Sequence, residues 1–168
     1  MSVGSAPERE LDPVWFRRVL GRLPTGVTVV TASTGDGPVG MVVGTFTSVS
    51  LHPPLVGMFI DRDSSSWPRI ESAGTFTANV LAAEQRELCK RFSARGTDRF
   101  RGLRWQPSTL GNPVLPGVTG WIDCALDEIR GVGDHVLVVG RVVDLAEADA
   151  EDPLVFHRGA LCSLNREG

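Results

Sequence analysis

Three features of the sequence carry residue types that could do chemistry: a histidine at a predicted hairpin turn, a run of serines, and a strand rich in small residues. His135 follows Gly133 and Asp134, where a side chain can reach solvent or a ligand. Ser64 begins the run SSSWP, the pattern of a helix start whose free amides can bind an anion. Two simpler interpretations stay open: a histidine that hydrogen-bonds to the backbone, and serines that only cap a helix.

The strand candidate is the segment from Gly40 to Pro54, GMVVGTFTSVSLHPP. It is rich in Val, Thr and Phe and lies between turn signals, DGP before it and HPP at its end, which predicts a β-strand. Gly44 would weaken such a strand unless something must approach its backbone, so Gly44 to Ser48 is a candidate surface for a flat ligand. A bulge in an ordinary barrel strand is the alternative explanation of the glycine.

Several other motifs are weaker than they look. The GDGPVG run from Gly35 has the spacing of the dinucleotide fingerprint, but a strand follows where that motif requires a helix, and a hairpin turn explains its glycines. No GxSxG elbow supports a hydrolase triad. Cys89, Cys124 and Cys162 are an odd number without a close pair, which argues against disulfides and against a zinc site. We expect no metal and a reduced compartment.

Composition favours a single globular domain, residues 12–168, after a flexible leader of residues 1–11. The formal net charge is −3, with 17 Lys and Arg against 20 Asp and Glu, so nothing indicates a nucleic-acid-binding surface. The first residues lack the apolar core of a signal peptide, and no run approaches the roughly 18 apolar residues of a membrane span. We therefore expect a cytoplasmic protein that binds neither nucleic acid nor membrane.

Helices are few in the predicted secondary structure. They are expected at Asp12–Leu23, from the serine run to about Gly74, and within Ala82–Ser93. In the first helix Asp12 is the predicted cap, Pro13 suits the first turn, and Val14, Val19 and Leu23 are among the residues that can face a core.

Strands dominate the prediction. They are expected at Val27–Ser33, Gly40–Pro54, Leu55–Asp61, Thr75–Leu81, Val118–Ile129, His135–Leu145 and Leu154–Leu164. Residues Ala94–Pro116 show no regular hydrophobic periodicity and are predicted to form a long loop, and loops of that length are usually functional or mobile. Because strand and helix do not alternate regularly, an antiparallel barrel is expected rather than a parallel doubly wound sheet.

Six stretches resemble, in order and spacing, the short-chain flavin reductase family. They are LPTGVTVVT from Leu23, GMVVGTFTSVSLHPPLV from Gly40, FTANVL from Phe76, GDH from Gly133, DPLVF from Asp152, and Gly159. The resemblance implies a mainly β fold, the flavin-binding split β-barrel of antiparallel, Greek-key type with a few flanking helices, usually a homodimer. It also implies an NAD(P)H-dependent enzyme that transfers hydride from NADH to FMN or FAD and supplies reduced flavin to a separate monooxygenase.

The resemblance assigns roles to particular residues. It places the flavin against Met41, Val42, Val43, Gly44 and Thr45, with Asn79, Val80 and Leu81 beside the ring system. It places Arg62, Ser64, Ser65 and Ser66 at the ribityl phosphate, where Lys90 or Arg91 could add charge. It implies that His135 positions NADH and that Phe156 and Arg158 belong to the nicotinamide pocket. Val42 and Gly44 replace polar residues of the family, so backbone groups or Thr45 would have to supply those hydrogen bonds.

Two other functions remain compatible with the sequence: a non-catalytic flavin-binding protein in the same barrel, and an inactive structural subunit of a dimer. The choices between FMN and FAD, and between NADH and NADPH, stay open, with NADH favoured by the resemblance. The 2′-phosphate of NADPH would need clustered arginines, and residues Arg95–Arg104 could supply them.

Overall fold

The computed structural model describes residues 10–150 and 152–164. Of the predicted leader only Glu10 and Leu11 fall within these ranges. The helices are α1 (Pro13–Leu20), α2 (Trp67–Ala73) and α3 (Arg86–Ser93). The strands are β1 (Thr25–Gly26), β2 (Thr28–Thr34), β3 (Gly37–Val43), β4 (Thr47–Ser50), β5 (Leu55–Asp61), β6 (Thr75–Val80), β7 (Gln106–Pro107), β8 (Pro113–Val114), β9 (Gly120–Val132), β10 (His135–Glu147), β11 (Leu154–His157) and β12 (Ala160–Ser163).

The fold is mainly β, as predicted, and its strand pairs are antiparallel. Seven strands form one sheet in the order β3-β2-β6-β9-β10-β5-β4, while β1, β11 and β12 form a small second sheet and β7 pairs with β8. The hairpins β2–β3 and β9–β10 form at the predicted glycine turns, and β5 has the predicted bounds.

The single strand predicted over Gly40–Pro54 was wrong, because β3 ends at Val43 and β4 begins only at Thr47. These two strands are the opposite edges of the seven-stranded sheet, so the three connecting residues bring the two edges together at one corner. Thr45 fixes that corner, since its hydroxyl donates to the carbonyl oxygen of Phe59 and accepts from the Phe59 amide, each at 2.9 Å.

Two apolar clusters form the core. The first packs the sheet against α2 and includes Met58, Phe76 and Ile70, each at most 1% exposed. The second lies under α3, where Phe92 contacts Phe100 edge to face at 5.1 Å between ring centroids. Within the described ranges, no helix is long and apolar enough to cross a membrane.

Helix α1 begins as predicted but does not pack as predicted. The Asp12 carboxylate accepts a hydrogen bond from the Val14 amide at 3.0 Å, while the helix ends at Leu20 rather than Leu23. Its apolar residues do not enter the core: Val14 is 70% exposed, and no residue of α1 is buried. Val19 and Leu23, also predicted as residues that can face a core, are 42% and 62% exposed, so the apolar face of the helix stays uncovered in one copy of the chain.

The last predicted strand is a hairpin. Strands β11 and β12 pair through a turn at Arg158 and Gly159, which have φ angles of 52° and 80°. A left-handed pair of this kind suits the two-residue turn of a twisted hairpin, and Gly159 is the residue that adopts it without steric cost.

Candidate functional site

Two cavities adjoin along strand β3 and helix α3, and both are lined by Val42 and Ser93. The first, here called the polar cavity, has a volume of about 480 Å³ and is also lined by Met41, Asp63, Ser64, Ser65, Ser66, Phe92, Arg95 and Arg99. The second, the apolar cavity, has a volume of about 400 Å³ and is also lined by Val27, Gly44, Cys89, Lys90, Phe156 and Leu161. Their shared residues make them one elongated depression with two chemical halves.

The serine loop of the polar cavity connects β5 to α2. Asp61 ends β5 and holds the start of the loop, because its carboxylate accepts from the Asp63 amide at 2.8 Å and its carbonyl oxygen from the Ser64 amide at 3.1 Å. The Ser64 hydroxyl then accepts from the amide of Trp67, the first residue of α2, at 3.2 Å, whereas the N-cap residue Ser66 makes no side-chain capping bond. Ser65 is exposed. The loop is therefore fixed at both ends.

Arg99 is the most constrained charge of the polar cavity. Its guanidinium donates to the carbonyl oxygens of Ala94, at 2.7 and 2.9 Å, and of Gly40, at 2.7 Å, and to the Ser66 hydroxyl at 3.0 Å. Burial lowers the pKa of Arg99 from its ordinary value. Arg95, which is exposed, lines the same cavity. Together they place two cationic groups beside the serine loop.

Sequence reasoning did not assign Arg95 or Arg99 to the flavin site. Both lie in the long segment without a period, where nothing local indicates which way a side chain points. The only indication was the high number of arginines between Arg95 and Arg104, and the sequence analysis connected these arginines with the 2′-phosphate of NADPH.

The apolar cavity exposes the backbone at the end of β3. A Cβ atom built on Gly44 would have the Thr25 hydroxyl at 3.5 Å as its nearest non-adjacent neighbour, which is ordinary contact, so the space over Gly44 is open. Val42 lines the cavity, whereas Val43 is only 4% exposed and faces the core. Burial is the main cause that raises the pKa of the Cys89 thiol, which keeps this part of the lining uncharged.

Lys90 and Arg91 take different positions on α3. Lys90 lines the apolar cavity, and its ammonium group pairs with the Glu87 carboxylate at 2.6 Å. Arg91 donates instead to the carbonyl oxygens of Arg99 and Arg101. Arg91 therefore holds the loop after α3 and does not line either cavity.

Asn79, Val80 and Leu81 line neither cavity. Asn79 and Leu81 are completely buried. The Asn79 amide group donates to the carbonyl oxygens of Val29 and Pro113, at 3.1 and 3.2 Å, and accepts from the Leu115 amide at 2.8 Å. These bonds use the side chain to attach the long loop to the sheet. In this structure the stretch stabilises the sheet and the long loop and does not line a cavity.

Arg62 and His135 meet at the β9–β10 turn. The Arg62 side chain donates to the carbonyl oxygen of His135 at 3.3 Å. The backbone amide of Arg62 donates to the carbonyl oxygen of Asp134 at 3.2 Å. The His135 ring is 41% exposed and lies 2.6 Å from the Asp134 carboxylate, a hydrogen bond that lowers the pKa of Asp134. Neither Arg62 nor His135 lines the two cavities. They adjoin the site through Asp63, the next residue after Arg62.

Comparison with known proteins decides the family. Residues 20–165 match the family described as the flavin reductase like domain. The chain belongs to this family. A flavin reductase of Pseudomonas putida is 50% identical over 150 residues, which cover 89% of this chain and 88% of that protein. The HsaB reductase subunit of a flavin-dependent monooxygenase from Rhodococcus jostii is 44% identical over 156 residues, with 93% and 80% covered.

A solved flavin reductase has the same fold. The NADH:FAD oxidoreductase SgcE6 of Streptomyces globisporus C-1027, solved with NAD and FAD fragments, superposes with a TM-score of 0.87 at 32% identity. The match covers 95% of this chain and 99% of that one. This chain is therefore an oxidoreductase of the flavin reductase type. Across the described residues, no three His, Cys, Asp or Glu side chains group as a metal site.

Proposed function

We propose that this flavin reductase transfers hydride from NADH to FMN or FAD and passes the reduced flavin to a separate monooxygenase. The observation that supports it best is the junction of the polar and apolar cavities at Val42 and Ser93. A flavin has one apolar planar end and one phosphate end, so the residues present fit its two halves in the right order. The relatives named as monooxygenase reductase subunits support the same function.

The polar cavity supplies the groups that would hold a phosphate. Guanidinium groups form strong, directional hydrogen bonds with phosphate oxygens, and Arg95 and Arg99 provide them beside Ser65. Arg99 is held by backbone carbonyls before any ligand arrives, so little side-chain entropy is lost when it binds.

The apolar cavity supplies the surface for the ring system. Val27, Val42 and Leu161 are apolar and exclude water, while the open backbone at Gly44 lets a flat ligand come close. Strand β3 is an edge of its sheet, so part of its backbone N–H and C=O groups face away from β2. Those groups can replace the hydrogen bonds that Val42 and Gly44 lack as side chains, including bonds to the edge where charge grows on reduction.

The bound flavin supplies the hydride acceptor, and the protein holds the flavin and the nicotinamide in position for the transfer. No nucleophile or paired acid is needed, because holding the donor and acceptor at near-contact distance accounts for most of the catalysis. His135 and Phe156 are the proposed donor-side residues. Phe156 lines the apolar cavity at 44% exposure, and His135 acts from the neighbouring β9–β10 turn.

The finer features of the family are proposed together with this function: a split barrel of Greek-key type, a homodimer, and a cytoplasmic location. One observation supports the barrel and one supports the homodimer. The edges of the sheet meet at the Thr45 corner, as a barrel requires. The apolar face of α1 stays exposed, with Trp15 at 56% and Phe16 at 51%, which suits burial against a second copy.

The test is turnover with purified protein. NADH is mixed with the protein and either FMN or FAD, and loss of the reduced nicotinamide absorbance is followed. Catalytic loss of NADH supports the reductase, and the flavin that gives the higher kcat/KM identifies the acceptor. A spectral shift of the flavin without NADH loss would instead indicate a binding protein, and neither signal would indicate a structural subunit.

A further inference from the structure

A third cavity, here called the arginine cavity, lies where the end of α1 meets the β11–β12 turn. It has a volume of about 400 Å³ and is lined by Arg17, Arg18, Gly21, Arg22, Arg158 and Gly159. Its volume lies within the range of roughly 300–1,000 Å³ that is usual for small-molecule sites. Four of its six lining residues are thus arginines, on a chain whose formal net charge is −3.

In the part of the chain that the structure describes, these arginines have no ion-pair partner. All four are exposed, and within residues 10–150 and 152–164 no carboxylate forms an ion pair with any of them. The Arg18 guanidinium lies over the Trp15 ring, 5.8 Å from its centroid. Among the described residues, the cavity therefore presents concentrated positive charge without a paired carboxylate.

The two elements that carry the arginines are tied together. The Arg158 amide donates to the carbonyl oxygen of Gly21 at 2.9 Å, and a ring nitrogen of His157 lies 3.1 Å from the carbonyl oxygen of Arg22. Both contacts join the residues after α1 to the β11–β12 hairpin. Four arginines from two distant parts of the sequence are thus brought to the lining of one cavity.

Arg158 occupies a backbone conformation that arginine rarely adopts. Its φ angle of 52° is left-handed, a region that Asn, Asp and Gly tolerate far better at a two-residue hairpin turn. Among the described non-glycine residues, it is the one with positive φ. An outlier of this kind indicates a function for the side chain, since a more stable residue type is available.

The arginine cavity is close to the apolar cavity. Phe156 lines the apolar cavity and Arg158 follows it by two residues, so their Cα atoms are at most about 7 Å apart. A dinucleotide whose nicotinamide ring enters the apolar cavity must place its phosphates outside that cavity, on a neighbouring surface. The arginine cavity is such a surface.

Resting on the proposed function, we propose that the arginine cavity binds the phosphate groups of the nicotinamide dinucleotide donor. Guanidinium groups match phosphate oxygens in charge and in bidentate geometry. The arginines of the 95–104 segment are less suitable for this role, because Arg95 and Arg99 line the polar cavity proposed for the flavin phosphate and Arg104 lines a separate cavity beside Trp105.

The variant that tests the proposal is Arg22→Gln with Arg158→Asn. Asn is favoured at left-handed turn positions, so the hairpin is expected to form without the charge. The control is Arg104→Gln with Arg130→Gln, which removes two charges elsewhere. Titration calorimetry with ADP and with adenosine 2′,5′-bisphosphate measures binding without turnover. We expect the first variant to bind at least one of them roughly tenfold or more weakly than the wild type, and the control to match the wild type.

Kinetics with three donors identify which phosphate is bound. We expect the first variant to raise the KM for NADH or NADPH while leaving the KM for reduced nicotinamide riboside, which carries no phosphate, unchanged. A rise with both dinucleotides identifies the pyrophosphate, and a rise with NADPH alone identifies the 2′-phosphate. Unchanged ADP and bisphosphate affinities, or an equal loss in the control, would overturn the proposal. If the wild-type protein oxidises none of the donors, the proposed function fails, and the calorimetry alone still decides whether the cavity binds phosphates.

Discussion

The guanidinium of Arg99 donates a hydrogen bond of 2.7 Å to the carbonyl oxygen of Gly40 in edge strand β3. The same group reaches the hydroxyl of Ser66, at the start of α2. One side chain from the long loop thus joins the strand that would carry the flavin ring and the loop that would carry its phosphate. The relative position of the two cavities depends on it.

Replacing Arg99 by Lys is expected to weaken flavin binding roughly tenfold or more, because one ammonium group cannot reproduce the planar set of bonds to three acceptors. We also expect the free energy of unfolding to fall by about 1–3 kcal/mol, since backbone carbonyls lose their donor. Flavin titration by fluorescence and urea denaturation measure the two effects. Arg101→Lys is the matched control, and equal flavin affinity in both variants would contradict the role of Arg99.

Replacement by alanine is expected to affect flavin affinity at Gly44 and stability at Gly140. Gly44→Ala places a methyl group in open space over the apolar cavity, so stability should stay within about 0.5 kcal/mol while flavin affinity falls. Gly140→Ala brings a Cβ to 2.7 Å from the buried Phe76 ring, which should cost about 1–3 kcal/mol of stability. Thermal unfolding and flavin titration distinguish them. A Gly44→Ala protein that keeps full flavin affinity would place the ligand elsewhere.

His135→Ala is expected to raise the KM for NADH far more than it changes flavin affinity. The ring is exposed and lies against Asp134 at the hairpin turn, so its removal leaves no cavity in the core. Steady-state kinetics with varied NADH, beside flavin titration, provide the measurement. Unaltered NADH kinetics would remove His135 from the donor site, and an equal loss of flavin binding would show a structural role instead.

Because the Cys124 thiol is buried, we expect the protein to lose stability at alkaline pH. Burial raises the pKa of this thiol from 9.0 to about 12, with the Asp123 carboxylate as a smaller cause. The unfolded chain therefore releases this proton at lower pH than the folded chain. The stabilisation is complete below pH 9.0 and is lost as pH rises toward 12, by roughly tenfold in the unfolding equilibrium per pH unit. Urea denaturation between pH 8 and 11 should show a shallower decline for Cys124→Ala than for the wild type, with Cys162→Ala as the control.

The elements with strong local signals could be predicted from the sequence. Strand β5 has apolar residues bounded by prolines and by charge, and the β9–β10 hairpin has a glycine turn between two long β-branched runs, so both were found. The break after Val43 could not be predicted, because the composition is strand-like before it, in β3, and after it, from Thr45 to Ser50. Only the pairing of Thr45 with Phe59 reveals it.

The residues that line the cavities were predictable where they lie in one continuous segment, and less so where distant segments meet. Val42, Gly44 and the serines, which the resemblance assigns to the flavin, line the two cavities, and their binding of flavin stays a prediction. Asn79 was assigned to the ring system only by the family resemblance, and that role stays a prediction. Its side chain accepts from the amide of Leu115, which is 36 positions away. No local pattern encodes such a pairing.

The long loop over residues 94–116 is anchored by two buried side chains, and this has a dynamic consequence. The Leu115 amide donates to the Asn79 side chain at 2.8 Å, and the Leu110 amide donates to the buried Asp123 carboxylate at 2.7 Å. Amide protons held in this way exchange with solvent only when the surrounding sheet opens. In heavy water these two protons should therefore persist as long as those of the central strands, although the segment that contains them has almost no regular secondary structure.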